Sequence, residues 1–266
     1  MHPDWQRICN EFLEATSYSL GELEKGWASN YDFSKRPPTY LRYEESLARI
    51  PLGTPDFPSS PDLWQLLRER RSKRNFTKTP LTLNELNLLL WGTTGITADM
   101  GDYQLRTVPS AGALYPIETY LLVNNVESLD QGLYHLDVEN WCLELLKRED
   151  VSEVAHLYTE EQEMTRHAAV NFVWTAMVDR TKDKYKERAY RYVWWDAGHV
   201  AQNLHITGNA LGLGVCTIGH WFDKNMNDYL GIDGISHFSV LMASAGKVTG
   251  GHWLEDRRPV VSDSGE

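Results

Sequence analysis

A chain of 266 residues, 42% hydrophobic and 24% charged, can bury a sizeable core, which excludes disordered and fibrous classes. Its 26 Lys and Arg against 37 Asp and Glu leave a net charge of −11, so general binding to nucleic acid or an anionic membrane is disfavoured. Cys9, Cys142 and Cys216 are scattered and odd in number, which speaks against a disulfide scaffold or structural zinc. The opening MHPDWQRICNEF lacks a basic-then-apolar leader, and no apolar run approaches the roughly 20 residues that span a bilayer. The expected location is therefore the cytoplasm.

Residues 1–60 differ from the rest. Prolines at 37, 38, 51, 55 and 58, with Pro61 just beyond, exclude a continuous helix over the later part. The expectation is an extended N-terminal arm whose aromatics, among them Trp5, Phe12, Trp27, Tyr31, Phe33, Tyr40 and Tyr43, seek burial against the domain or a partner subunit. A single domain then fills 61–266. In SPDLWQLLRERRS, Ser60 reads as an N-cap, Pro61 as the first helical position and Asp62 as its first-turn acid. In LTLNELNLLLWGTTG, Thr82 and Glu85 have capping-box spacing, and the helix is expected to end in the glycines at 92 and 95.

Residues 117–125 read as a buried strand, and GLYHLDVENWCLELLK as two strands joined by a polar turn at Val138-Glu139-Asn140. AAVNFVWTAMV is another buried strand. A helix spans 181–211, with Val193, Ala197, Val200, Ala201, Leu204, Gly208 and Leu211 on one stripe. Its small side chains would let a second helix pack very close. GVCTI and FSVLMASAG are further strands, with a short helix near 223–230 between them. Strands and helices do not alternate cleanly, so the fold class is α+β.

Three stretches could carry chemistry. RERRSKR, residues 68–74, holds five bases and one acid, a local +4. Arg70 and Arg74 share a face if the helix continues that far, and their planar forks with the Ser72 hydroxyl suit a phosphate. A solvated helix C-terminus explains the same charges. GLGVCTIG has Gly-x-Gly but ends a helix rather than opening one, so no Rossmann site is supported. His199 and His205 are six apart and share no face, and no metal site is expected. In RTVPSAGALYP, Pro109 and Pro116 bracket Ser110, Ala111, Gly112 and Ala113, a bare backbone suited to lie against a flat ring or to make a tight turn.

The combination of RRSKRNF, RTVPSAGALYPIETYLLV, GLYHLD and KYKERAYRYVWWDAGHVAQNLHITGNALGLGVCTIG resembles the SagB-type dehydrogenases of the FMN-dependent nitroreductase superfamily, over roughly residues 61–250. The resemblance implies a nitroreductase-like fold, with a central, mainly antiparallel sheet flanked by helices, in an intertwined homodimer that binds FMN between subunits. It implies FMN contacts from Arg70, Ser72 and Arg74, assisted by Arg71. Pro109, Ser110, Ala111 and Gly112 would lie beside the isoalloxazine, with Ile218 and Gly219 in a further contacting loop. Lys247, Arg257 or Arg258 would complete the phosphate site. Ala113 stands where many relatives carry Asn.

Lys184 and Tyr185 match the Lys-Tyr pair to which SagB-type enzymes assign proton removal as they oxidise azolines to azoles in peptides. The lysine would need a lowered pKa, from burial or from Lys182, Lys186 and Arg188 nearby; a charged, solvated helix start is the other reading. The implied partners are a peptide or small-molecule substrate and further biosynthetic proteins. Two other functions compete: an NAD(P)H-dependent nitroreductase or quinone reductase, and a flavin-fold scaffold without turnover.

Overall fold

The structure is a computed structural model that describes residues 4–19 and 31–249. Its sheet has seven strands in the order β1 (Ala48–Pro51), β6 (Cys142–Arg148), β5 (Gly132–Asp137), β4 (Ile117–Val123), β7 (Val170–Met177), β9 (His237–Gly246) and β8 (Gly214–Ile218). Every neighbouring pair is antiparallel. The hairpin turn falls at 138–141, as the polar residues predict, and the Asp137 carboxylate accepts from Asn140 N at 3.0 Å.

All seven residues of β4 and all six of β5 are buried, because helices cover both faces. One face packs under α3 (Leu83–Thr94) and α7 (Ala189–Ala210), through Leu86, Leu89, Leu90, Val193, Ala197 and Leu204. The other packs under α4 (Ser152–Tyr158), α5 (Glu163–His167) and α8 (Asp223–Leu230), where Ala155, Met164, Met226 and Leu230 meet Tyr120, Leu122 and Val173. A two-residue burial period cannot appear in strands covered on both sides, so they read as continuous apolar runs.

Several expectations change. The leading 60 residues are not uniformly extended: α1 (Trp5–Ala15) is helical, and β1 is an edge strand of the sheet. Trp5 and Phe12 stay 49% and 40% exposed, so α1 does not bury the aromatics expected to seek cover. Trp27 lies outside the described residues. α2 (Leu63–Glu69) is capped by Asp62, which accepts from Trp64 N and Gln65 N; the Ser60 hydroxyl donates to the Pro61 carbonyl instead.

The Thr82–Glu85 capping box forms as predicted, but α3 runs through Gly92 to a C-cap at Gly95. A Cβ on Gly92 would lie 2.2 Å from Thr207 Oγ1, so this glycine admits α7 rather than stopping a helix. The expected helix over 181–211 is broken: α6 (Asp179–Tyr185) ends at Lys186, whose φ is 50°, before α7 begins. The small-sided stripe of α7 faces its own subunit's core, and a Cβ on Gly208 would meet Val215 at 2.4 Å. It is therefore not a free surface for a second subunit. A hairpin of β2 (Ile96–Asp99) and β3 (Gln104–Arg106) leads into the proline-bracketed loop and carried no clear signal in the sequence.

Candidate active site

Helix geometry does not align the basic cluster. α2 stops at Glu69, Arg70 is its C-cap with ψ 124°, and the chain turns extended so that Ser72 bridges to Val215 of β8. Lys73 N donates to Val215 O at 3.0 Å, which fixes the segment along the sheet edge. Among the described residues, none of Arg70, Arg71 and Arg74 has a carboxylate within salt-bridge reach; Arg71 donates only to the Arg68 and Arg70 carbonyls. His205 of α7 bonds Thr217 Oγ1 at 2.9 Å, and burial together with Arg70 pushes its pKa down to about 4. His205 and Thr217 thus face the basic segment, which the helical spacing of the histidines did not reveal.

The segment 110–116 is strained and clamped. Gly112, Ala113 and Tyr115 have φ of 64°, 53° and 45°, a region that costs non-glycine residues about 1 kcal/mol or more. Four contacts hold it. Ser110 Oγ accepts from Tyr115 N at 2.9 Å and donates to Asp196 Oδ2 of α7 at 2.6 Å. Tyr115 OH accepts from Arg106 N at 3.0 Å, and Arg180 Nη1 donates to Tyr115 O at 3.1 Å. In front lies an open groove of about 650 Å³ lined by Thr97, Tyr103, Leu105, Arg106 and the loop. Behind it, a recess with room for about one water is lined by Arg106, Ser110, Tyr115 and Asp196.

Arg106 is buried with its Nε unpartnered; its guanidinium lies 4.5 Å from the Tyr115 ring centre. Asp196 is buried too, and burial lifts its pKa to about 6 against the pull of Ser110 and the Ala111 N–H. Neither Arg106 nor Asp196 stood out in the sequence.

Lys184 and Tyr185, at the end of α6, are brought to this loop. A Cβ built on Gly112 would lie 2.8 Å from Tyr185 OH and 3.2 Å from Lys184 Nζ. Burial lowers the Lys184 pKa; neighbouring cations do not contribute, contrary to the expectation for Lys182, Lys186 and Arg188. The N-terminal arm covers the pair from outside. Tyr31 OH donates to Asp183 at 2.8 Å with its ring 5.1 Å from Lys184 Nζ, and Tyr18 OH donates to Tyr185 O at 3.1 Å.

α6 is itself anchored by Arg180, which donates to Pro38 O at 2.8 Å and pairs with Glu118 at 2.6 Å. His135 bonds Glu118 at 3.0 Å and Glu144 at 2.9 Å, and Arg49 pairs with Glu144 at 2.7 Å. Burial alone would lift the Glu118 pKa, but Arg180, His135 and Arg106 bring it down to about 2.

The other implied contacts are placed differently. Ile218 is buried in the core and paired with Met242 of β9, and Gly219 after it is exposed at the end of β8. Lys247 directs its ammonium to Glu85, away from the arginines. Arg257 and Arg258 lie outside the described residues.

The residues present fit FMN. A cation set without carboxylate partners lies along β8, and a glycine cradle and a buried guanidinium with an orphan N–H lie at the loop. Asp196 and His205, nine residues apart on α7, put the two regions about 13 Å apart along one helix.

A helix-covered antiparallel sheet carrying this pair of regions defines an oxidoreductase of nitroreductase fold. The Nitroreductase family model matches residues 67–247, and the chain belongs to that family. It is 33% identical over 185 residues to the nitroreductase-like protein MJ1384 of Methanocaldococcus jannaschii, covering 70% of this chain and 90% of that one. It is 28% identical over 118 residues to the trifolitoxin-processing protein TfxB of Rhizobium leguminosarum bv. trifolii, covering 42% of this chain and 32% of TfxB.

Among solved structures, a nitroreductase-like protein of Anabaena variabilis aligns with a TM-score of 0.66 at 26% identity, over 91% of this chain and about half (47%) of that one. The E. coli microcin synthetase McbBCD, with truncated pro-MccB17 bound, shares the fold at TM-score 0.58 and 22% identity, over 94% and 95%. A Desulfovibrio desulfuricans relative solved with FMN shares it at 0.52 and 16%, over 76% and 94%.

Proposed function

We propose that the protein is an FMN-dependent dehydrogenase of SagB type that oxidises an azoline-like ring in a peptide. The observation that carries this reading is the position of Lys184 Nζ and Tyr185 OH against Gly112 of the bare loop. A proton acceptor there abuts the backbone best suited to lie on a flat ring. Burial, by lowering the Lys184 pKa, increases the neutral amine able to take a proton. Tyr185 is held by the arm through its carbonyl, and its hydroxyl lies at the loop beside Gly112, where it would orient the substrate.

Arg70, Ser72 and Arg74 would hold the phosphate, and residues 109–112 the ring. Bound FMN would supply the two-electron acceptor for the hydride while the substrate's proton passes to Lys184, and dioxygen would restore it. The kinship with TfxB, named as a trifolitoxin-processing protein, supports a processing role, here on a peptide substrate with further biosynthetic proteins as partners. We read the unit as a homodimer, with Trp194 and Trp195, about half exposed on the outer face of α7, at its contact.

One observation favours a second reading, an NAD(P)H-dependent nitroreductase or quinone reductase: the 33% identity to the M. jannaschii relative. An anaerobic absorption spectrum before and after NADH and NADPH separates them. Flavin that stays oxidised with both, yet bleaches with an azoline-bearing peptide, supports the dehydrogenase. Rapid bleaching by either nucleotide moves the assignment to the reductase.

A further inference from the structure

Asp196 is a costly residue to keep where it lies. Its side chain is buried on the inward side of α7, and no cation lies within salt-bridge distance among the described residues. Arg106 lines the same recess without pairing with it. An unpaired buried carboxylate ordinarily weakens a fold, and such breaches of the packing rules concentrate where a site needs them.

What Asp196 receives is the loop. Ser110 Oγ donates to it at 2.6 Å, the Ala111 N–H faces the same group, and Ser110 Oγ at once accepts from Tyr115 N at 2.9 Å. A carboxylate offers only acceptors, so it matches two converging donors, whereas an amide would set an N–H₂ against one of them. Two strained residues, Ala113 and Tyr115, and the left-handed Gly112 lie inside the span this carboxylate ties down.

We propose that Asp196 is a positioning residue for the flavin: it fixes the 110–115 loop in the shape that receives the ring, at the expense of the stability of the fold. The inference rests on the FMN part of the proposed function. The groups facing the carboxylate are Ser110 and Tyr115 of the loop, Arg106 of β3, Tyr185 of α6 and His199 of its own helix.

Linkage gives the sign. Burial holds the folded pKa at about 6, above the ordinary carboxylate value of about 3.9, so the cost of ionising Asp196 is absent below about pH 4, grows as pH rises from there, and is complete above about pH 6. Replacing it by a neutral isostere should therefore raise Tm at pH 8 and lose that gain in acid, while flavin binding weakens. A merely structural residue would lower both together.

The test uses the full chain, stripped of flavin and titrated with FMN by fluorescence quenching, beside thermal unfolding at about pH 8 and pH 4. Asp196→Asn is expected to raise Kd for FMN about 10- to 100-fold while unfolding above wild type at the higher pH. Ser110→Ala, which leaves the carboxylate but removes its donor, should weaken FMN similarly without the stability gain, and it decides the question should Asp196→Asn not fold. Unchanged FMN affinity in both variants overturns the inference while leaving the flavin assignment intact. So does a loss of Tm and affinity together in Asp196→Asn with Ser110→Ala unaffected. Wild-type protein that takes up no FMN overturns the flavin assignment, and this inference with it.

Discussion

Gly112 is the residue on which the site turns. Its φ of 64° favours glycine, and any Cβ there would collide with Tyr185 OH at 2.8 Å. Gly112→Ala should therefore push the Lys184–Tyr185 pair off the loop and weaken FMN binding, read as a raised Kd with little change in secondary structure by circular dichroism. Lys184→Ala is expected to leave flavin bound and slow oxidation of an azoline-bearing peptide by about 10²- to 10⁴-fold, the span of a lost general base. Unchanged turnover would remove Lys184 from the chemistry. Because burial lowers the Lys184 pKa, wild-type turnover should rise with pH to a plateau reached below the ordinary lysine value of about 10.4, and Lys184→Ala should lack that limb.

Arg70→Ala and Arg74→Ala should each raise Kd for FMN about 10- to 100-fold, as expected for a charge-assisted hydrogen bond, with riboflavin affinity much less affected. Equal losses for FMN and riboflavin would separate these arginines from the phosphate. The basic cluster and the bare loop were legible in the sequence because each is a run of adjacent residues. Asp196 was not, since its partner Ser110 is 86 positions away.

Elements read well where their signals are local. The Thr82–Glu85 box lies within one turn, so its spacing alone predicted the start of α3. Caps failed where two residues competed: Asp62 reaches two backbone N–H groups and leaves Ser60 outside α2. That short helix delivers Arg70 at its C-cap. Asp62→Ala should cost about 1 kcal/mol of stability, read as a lower urea midpoint, and should weaken FMN through the loosened arginine. Wild-type FMN affinity in that variant would show that pairing of Ser72 with β8 positions the arginine without help from α2. The break at Lys186 escaped notice because the apolar stripe starts only at Val193 and the charged run TKDKYKER before it holds no glycine or proline to mark a stop. Gly92 was misread because its reason lies on another helix, at Thr207.

The molecule as a whole is tied through its sheet. Arg180, Glu118, His135 and Glu144, buried, and Arg49 at the surface form a chain of opposite charges running from α6 across β4, β5 and β6 to β1. Glu118→Gln leaves Arg180 and His135 buried against a neutral group and should cost about 3–5 kcal/mol, measurable by urea unfolding. The wild-type pair has a pH signature. With the folded Glu118 pKa at about 2, its contribution is complete above the unfolded value of about 4.3 and is lost as pH falls from there toward about 2. Glu118→Gln should flatten that acid limb. Light scattering tests the homodimer: Trp195→Glu should shift the mass toward one chain if the outer face of α7 is its contact.

By itself the sequence determined the α+β class and most of the strands, and it marked out the basic cluster and the bare loop, because each is written in neighbouring residues or in a short period; the Lys-Tyr pair entered through the family resemblance. Only the tertiary structure decided which of these meet. It laid the small face of α7 on its own core, turned Lys247 to Glu85, and brought Tyr31 of the arm over Lys184 and Tyr18 to the Tyr185 carbonyl. It also buried Asp196 behind the loop. Those outcomes depend on packing and charge compensation between residues far apart in the chain, and no local pattern carries that information.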